Sequence, residues 1–181
     1  MKALSSFPSS LSLENEKVLV RLDLNVPMDT EGNILDSSRI EVTIPTIKYL
    51  VKKNCKVIIT SHLGRPKGKD LFYSLEKIIP LLENFLHEKK VHFIVDCIGP
   101  ETTEQIDSMA SGEIVLLENV RFYAEEESND DAFAKSLYHG AKFFINDAFG
   151  TIHREHASTV GVTKYIETVS YTHLTLPTNS S

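Results

Sequence analysis

The order of the residues predicts an α/β fold: one parallel sheet, doubly wound, with helices on both faces, in a single domain over residues 1–166. Two observations carry this reading. Short apolar or β-branched runs alternate with stretches of ten or more residues at helical spacing, the pattern of successive βαβ units. The runs themselves, such as VIIT at 57–60 and IVLL at 114–117, are continuously apolar, as strands covered on both faces must be.

Lys17–Leu22 (KVLVRL) reads as the first strand, followed by a loop over Asp23–Ser37 with Pro27, Gly32 and Asn33 as turn formers. Ser38–Asn54 places Ile40, Ile44, Ile47 and Val51 at helical spacing; Pro45 inside that pattern either starts the helix or kinks it. Lys56–Ser61 is the second strand and His62–Leu71 a loop. Ser74–Glu88 reads as a helix, with Pro80 again as a breaker. Val91–Val95 is the third strand, Pro100–Ala110 a helix opened by its proline, and Glu113–Leu117 the fourth strand. Asn129–His139 is a helix and Lys142–Asn146 the fifth strand. The whole is Rossmann-like. Residues 167–181 lose the pattern: after Glu167 no charged residue follows, and the segment is expected to be a disordered or junction-derived tail.

Composition narrows the function. Nineteen Lys+Arg against 25 Asp+Glu leave a net charge of −6, which argues against a nucleic-acid partner. No apolar run approaches the roughly 18 residues of a membrane span, and Met1–Ser10 has no apolar signal core. The expected location is the cytoplasm. Cys55 and Cys97, each beside a strand, read as small buried thiols of a reducing compartment.

The loops carry the chemistry. In an open parallel sheet, ligands bind beyond the carboxyl ends of the strands. The first strand is followed there by Asp23 and Asn25, with Arg39 opening the next helical region; the second by His62, Gly64, Arg65 and Pro66. The fourth is followed by Glu118, Asn119 and Arg121, the fifth by Asp147, Gly150, His153, Arg154 and His156. Four of the five arginines therefore converge on one end of the sheet. Guanidinium forks suit carboxylate and phosphate, so the pattern points to capture of a phosphomonoester dianion; ordinary surface salt bridges are the alternative. GRPKGK at 64–69 lacks the spacing and the Ser/Thr of a P-loop, and no Gly-x-Gly-x-x-Gly follows the first strand. A metal pair at His153 and His156 is disfavoured by Arg154 between them. Ser61 beside His62 does not make a catalytic triad.

Four strings in these loops, VLVRLDLNVP (18–27), IPTIKYLVKKNCKVIITSHLGRPKG (44–68), LLENVRFYAEEE (116–127) and FFINDAFGTIHREHASTVGV (143–162), resemble the N-terminal domain of the phosphoglycerate kinases, in that family's order. The resemblance implies reversible phosphoryl transfer between 1,3-bisphosphoglycerate and ADP, giving 3-phosphoglycerate and ATP, without a covalent enzyme intermediate. It implies that Asp23 and Asn25 hold the glycerate end, with Leu24, Leu63 and Gly64 contributing backbone and shape. His62, Arg65, Arg121 and Arg154 match the patch that grips the 3-phosphate. Arg39 matches the catalytic arginine that stabilises the transferred group, and Arg21 is expected to be a structural strand-end residue. Mg²⁺ with ATP or ADP belongs to a C-terminal nucleotide domain that this sequence does not contain, so no cofactor or metal is expected on these residues. The family is usually monomeric. Glu155 departs from the family pattern by placing an acid where a small residue is usual, and Leu24 replaces a more common Phe. The alternative to an enzyme fragment is a stand-alone phosphoester-binding module without activity.

Overall fold

The computed structural model describes residues 12–151 and 153–168. Six parallel strands form one sheet in the order β3-β4-β2-β1-β5-β6: β1 Lys17–Leu22, β2 Lys56–Thr60, β3 Val91–Ile94, β4 Ile114–Leu117, β5 Phe143–Asp147 and β6 Glu167–Thr168. The first strand lies between the second and fifth, with Arg21 in register with Thr60 on one side and Asn146 on the other. The sixth strand, absent from the sequence reading, pairs with Phe143 and Phe144 just beyond residue 166. The rest of the expected tail, 169–181, lies outside the described residues.

The strands separate two cores by side-chain parity. Val18, Val20, Leu22, Val57, Ile59, Ile114 and Leu116 pack with α2 (Ile44–Lys52) and α3 (Ile79–Phe85) on one face. Leu19, Ile58, Val115, Leu117 and Phe144 pack with α4 (Pro100–Asp107) and α6 (Asp131–Leu137) on the other. That division is the double winding expected from strands apolar on both faces. Both cysteines are free and buried.

Helix boundaries moved where prolines sit. Ser38–Asn54 is two helices, α1 (Ser38–Glu41) and α2, because Pro45 lacks an N–H and its ring would crowd the carbonyl of Glu41. It is accommodated in the first turn of α2, where no N–H partner is needed. Likewise the expected Ser74–Glu88 helix is a 3₁₀ turn over Leu75–Ile78 that gives way to α3 with Pro80 in its first turn. A one-turn helix, α5 (Ala124–Glu127), follows β4 and was not anticipated.

Candidate functional site

The loops after β1, β2, β4 and β5 meet around a cavity of about 190 Å³ lined by Asp23, Asn25, Arg39, His62, Arg65, Arg121, Gly150, Thr151 and Arg154. The parallel register puts the carboxyl ends of β2, β1 and β5 side by side, so residues distant in sequence share one mouth. Seven of the ten expected site residues line this cavity. Leu24 and Leu63 are fully buried members of the apolar core, and Gly64 is half-buried and bonded to two of the lining residues.

The wall built from the β2 and β4 loops is densely bonded. Asn119, fully buried, donates from Nδ2 to the carbonyls of Leu63 (2.8 Å) and Tyr73 (2.9 Å), and its Oδ1 accepts from the Arg121 N–H at 3.0 Å. Glu118 accepts from Ser74 Oγ at 2.7 Å and from the N–H groups of Leu75 and Asn119. Gly64 joins two site residues: its N–H donates to Asn25 Oδ1 at 2.8 Å, and its carbonyl accepts from Arg121 Nη1 at 2.9 Å. Only glycine fits there, since φ is +63° and a Cβ would lie 2.3 Å from the Tyr73 ring.

Arg121 is the most informative side chain. It is 4% exposed, and its Nε and Nη2 are buried without a hydrogen-bond partner; Glu127 Oε1 stands 3.9 Å from Nε, beyond bonding distance. Burial is the main influence lowering its pKa; Arg154 and Arg65 also lower it, while Glu127 and Glu126 oppose them. Unsatisfied buried donors of a charged group are costly. Arg65 and Arg154 are exposed, and their side chains have no hydrogen bond or ion pair among the described residues.

His62 is buried, and its pKa is pushed down to about 2 by burial first, then by Arg21, Arg121, Arg154 and His156. The ring is therefore neutral at physiological pH. Its Nδ1 lies 2.8 Å from Arg21 Nη2.

The wall built from the β1 and β5 loops is looser. Arg39 Nη1 donates to Asp23 Oδ2 at 2.8 Å, with the Arg39 side chain 51% exposed. Asp23 Oδ1 accepts from the Asn25 N–H at 3.2 Å. Gly150 approaches closely enough that a Cβ there would lie 2.9 Å from Asp23 Oδ2.

Thr151 is a site residue that the sequence reading left out, and Gly150 one it placed beyond the fifth strand without giving it a role; their place directly after β5, on the same loop as Arg154, was the available signal. Among the described residues no three His, Cys, Asp or Glu side chains group to hold a metal: His153 is exposed and His156 buried. The Ser61 hydroxyl is committed, donating to the Leu22 carbonyl at 2.7 Å. No helix among the described residues is long and apolar enough to cross a membrane.

The comparisons with known proteins extend over nearly the whole chain. A family model described as phosphoglycerate kinase matches residues 9–174. The chloroplastic phosphoglycerate kinase 2 of Arabidopsis thaliana is 50% identical over 159 residues, 88% of this chain and 33% of that protein. The phosphoglycerate kinase of Prochlorococcus marinus (strain MIT 9515) is 51% identical over 166 residues, 91% of this chain and 41% of that protein. The crystal structure of phosphoglycerate kinase from Pyrococcus horikoshii OT3 superposes with a TM-score of 0.81 at 34% identity, over 94% of this chain and 42% of that one. This chain thus spans a third to two fifths of the length of these relatives. A match through nearly its whole length, with the sheet superposing as well, leaves one conclusion: the chain belongs to the phosphoglycerate kinase family.

Proposed function

We propose that these residues form the 3-phosphoglycerate side of a phosphoglycerate kinase, the part that holds the acidic substrate while phosphoryl is exchanged with a nucleotide. The carrying observation is Arg121, a buried guanidinium with two unpartnered nitrogens, in the wall of a cavity also lined by Arg65, Arg154 and a neutral His62. In this reading those four groups take the 3-phosphate. Asn25, whose Oδ1 is occupied by Gly64, offers its amide N–H₂ to the glycerate, and Asp23 accepts from the glycerate hydroxyl.

Arg39 is the proposed catalytic residue. Its ion pair with Asp23 at the exposed rim is one it can exchange for developing charge on the transferred phosphoryl. Catalysis then rests on position and electrostatics, since phosphoryl transfer asks little covalent chemistry of a protein. The cavity's cationic donors do not fit a magnesium ion. The nucleotide and its metal are assigned to a domain outside these residues. Two buried free thiols fit a reducing compartment; relatives carry both cytosolic and chloroplastic names, and we place this chain in the cytoplasm.

The test is calorimetric titration of the chain with 3-phosphoglycerate and separately with MgATP. Saturable heat from the first and none from the second is expected. No heat from 3-phosphoglycerate up to about 10 mM, a Kd range where binding energy falls below about 3 kcal/mol, would sink the reading.

A further inference from the structure

We propose that Arg21 is a positioning residue which, held by Ser158 and Glu126, fixes His62 as an Nε2–H donor at the cavity. This rests on the phosphate-binding role proposed above and goes beyond it by assigning three residues with no cavity position of their own. It also replaces the expectation that Arg21 is a structural strand-end residue.

Strand parity directs Arg21 inward. It lies two residues after Leu19 on the same face of β1 and is only 1% exposed, yet it carries a guanidinium. Its donors are distributed over four acceptors. Nε donates to Ser158 Oγ at 2.8 Å, Nη1 to the Leu22 carbonyl at 2.5 Å and to Ser61 Oγ at 3.4 Å, and Nη2 meets His62 Nδ1 at 2.8 Å. A guanidinium has no acceptor, so Nδ1 must accept and the ring proton must sit on Nε2. The remaining ring N–H belongs to a side chain that lines the cavity.

Ser158 sets the direction of the relay. Having accepted from Arg21, its hydroxyl donates to Glu126 Oε1, and its own N–H donates to Glu126 Oε2 at 2.9 Å. Glu126, on α5, is fully buried and supplies the largest opposing charge to Arg21, whose pKa burial lowers to about 10. The guanidinium is therefore still charged at neutral pH. The groups facing His62, namely Arg21, Arg121, Arg154 and His156, all disfavour its protonation. Arg21 alone among them also selects the tautomer, because it alone bonds the ring.

The experiment is imidazole ¹⁵N NMR on the full chain labelled in histidine, which reads tautomer without any ligand. In the unsubstituted chain at pH 7, His62 is expected to show a single Nε2–H form. Arg21→Met removes every donor at similar volume and should yield both tautomers; Arg21→Lys, which restores one donor, should recover the single form. If Arg21→Met fails to fold, Ser158→Ala serves instead, with a second tautomer expected above about a tenth of the population. A single unchanged Nε2–H signal in the folded variant would overturn the assignment. Titration with 3-phosphoglycerate separates the two claims. Absent binding with His62 still locked strikes the proposed function, whereas tighter or unchanged binding in a tautomer-mixed Arg21→Met strikes the positioning role; a loss of about tenfold, restored in part by Lys, supports it.

Discussion

The two walls of the cavity differ in how they are held. The β2 and β4 loops present Arg121 and His62 from a buried mesh in which Asn119, Glu118 and Gly64 use backbone and side-chain bonds at 2.7–3.0 Å. The β1 and β5 loops present Arg39 and Arg154 from the exposed rim, with Asp23 as the one ion-pair partner of Arg39 among the described residues. On the proposed function, the difference separates two requirements of a kinase site. A phosphate that only has to be gripped is met by two donors set beforehand, Arg121 and His62, with the exposed Arg65 and Arg154 completing the grip. A phosphoryl group that moves is met by a charge still free to change partners.

The contrast can be broken at its stiffest point first. Gly64→Ala combines a positive φ with a ring 2.3 Å away, and should cost about 2–5 kcal/mol from left-handed strain plus overpacking. Gly68→Ala, with φ of +90° but nothing within 4 Å, should cost only about 1–2 kcal/mol. Urea midpoints compare them, and equal losses would show that the Tyr73 contact does not matter. Next comes Arg121→Ala, expected to weaken 3-phosphoglycerate binding by about 10–150-fold, the value of one charge-assisted bond of about 1.5–3 kcal/mol. Isothermal titration measures it; a change under threefold would place the phosphate elsewhere.

Acid should act on the buried wall. His62, His139 and His156 all have lowered pKa values, with burial the leading cause in each. Their unfolded counterparts take protons from about pH 6.5 downward, so below that pH the unfolded state binds more protons than the native one. Stability is then full above about pH 6.5 and falls steadily as pH drops; for His62 the window extends down to about 2. Denaturant midpoints at pH 7.5, 6 and 5 follow the decline, and a flat profile would contradict it. The smallest effect is expected at the rim. Arg39→Ala loses a half-exposed ion pair worth about 0.2–1 kcal/mol and should change 3-phosphoglycerate affinity less than about fivefold. In a full-length enzyme the same substitution should lower kcat far more than it raises KM, since its proposed partner is the transition state.

Much of this was legible along the chain. Five strands stood out because a strand buried on both faces is apolar throughout, and the arginines stood out because they follow strands. Helix ends did not, since Pro45 and Pro80 each close one helical segment and open another within a single periodic pattern. Leu24 and Leu63 sit inside the binding strings yet pack into the core, a distinction that depends on strand parity beyond the loop. The Arg21–Ser158–Glu126 chain joins residues 21, 126 and 158, and nothing in their spacing announces it. Arg21 read as a strand-end residue; only the folded structure shows it buried on the Leu19 face and what meets it there.

Gly150 acts as a silent third member of the Asp23–Arg39 couple. The first carbon of any side chain at 150 would press on the acid's oxygen, and the arginine tethered to that oxygen would swing with it. The bareness of one α-carbon thus sets the resting pose of a neighbouring guanidinium, whose Nη1 would stand 3.9 Å from a β-carbon there, so enlarging this position is a way to retune Arg39 while leaving Arg39 itself in place.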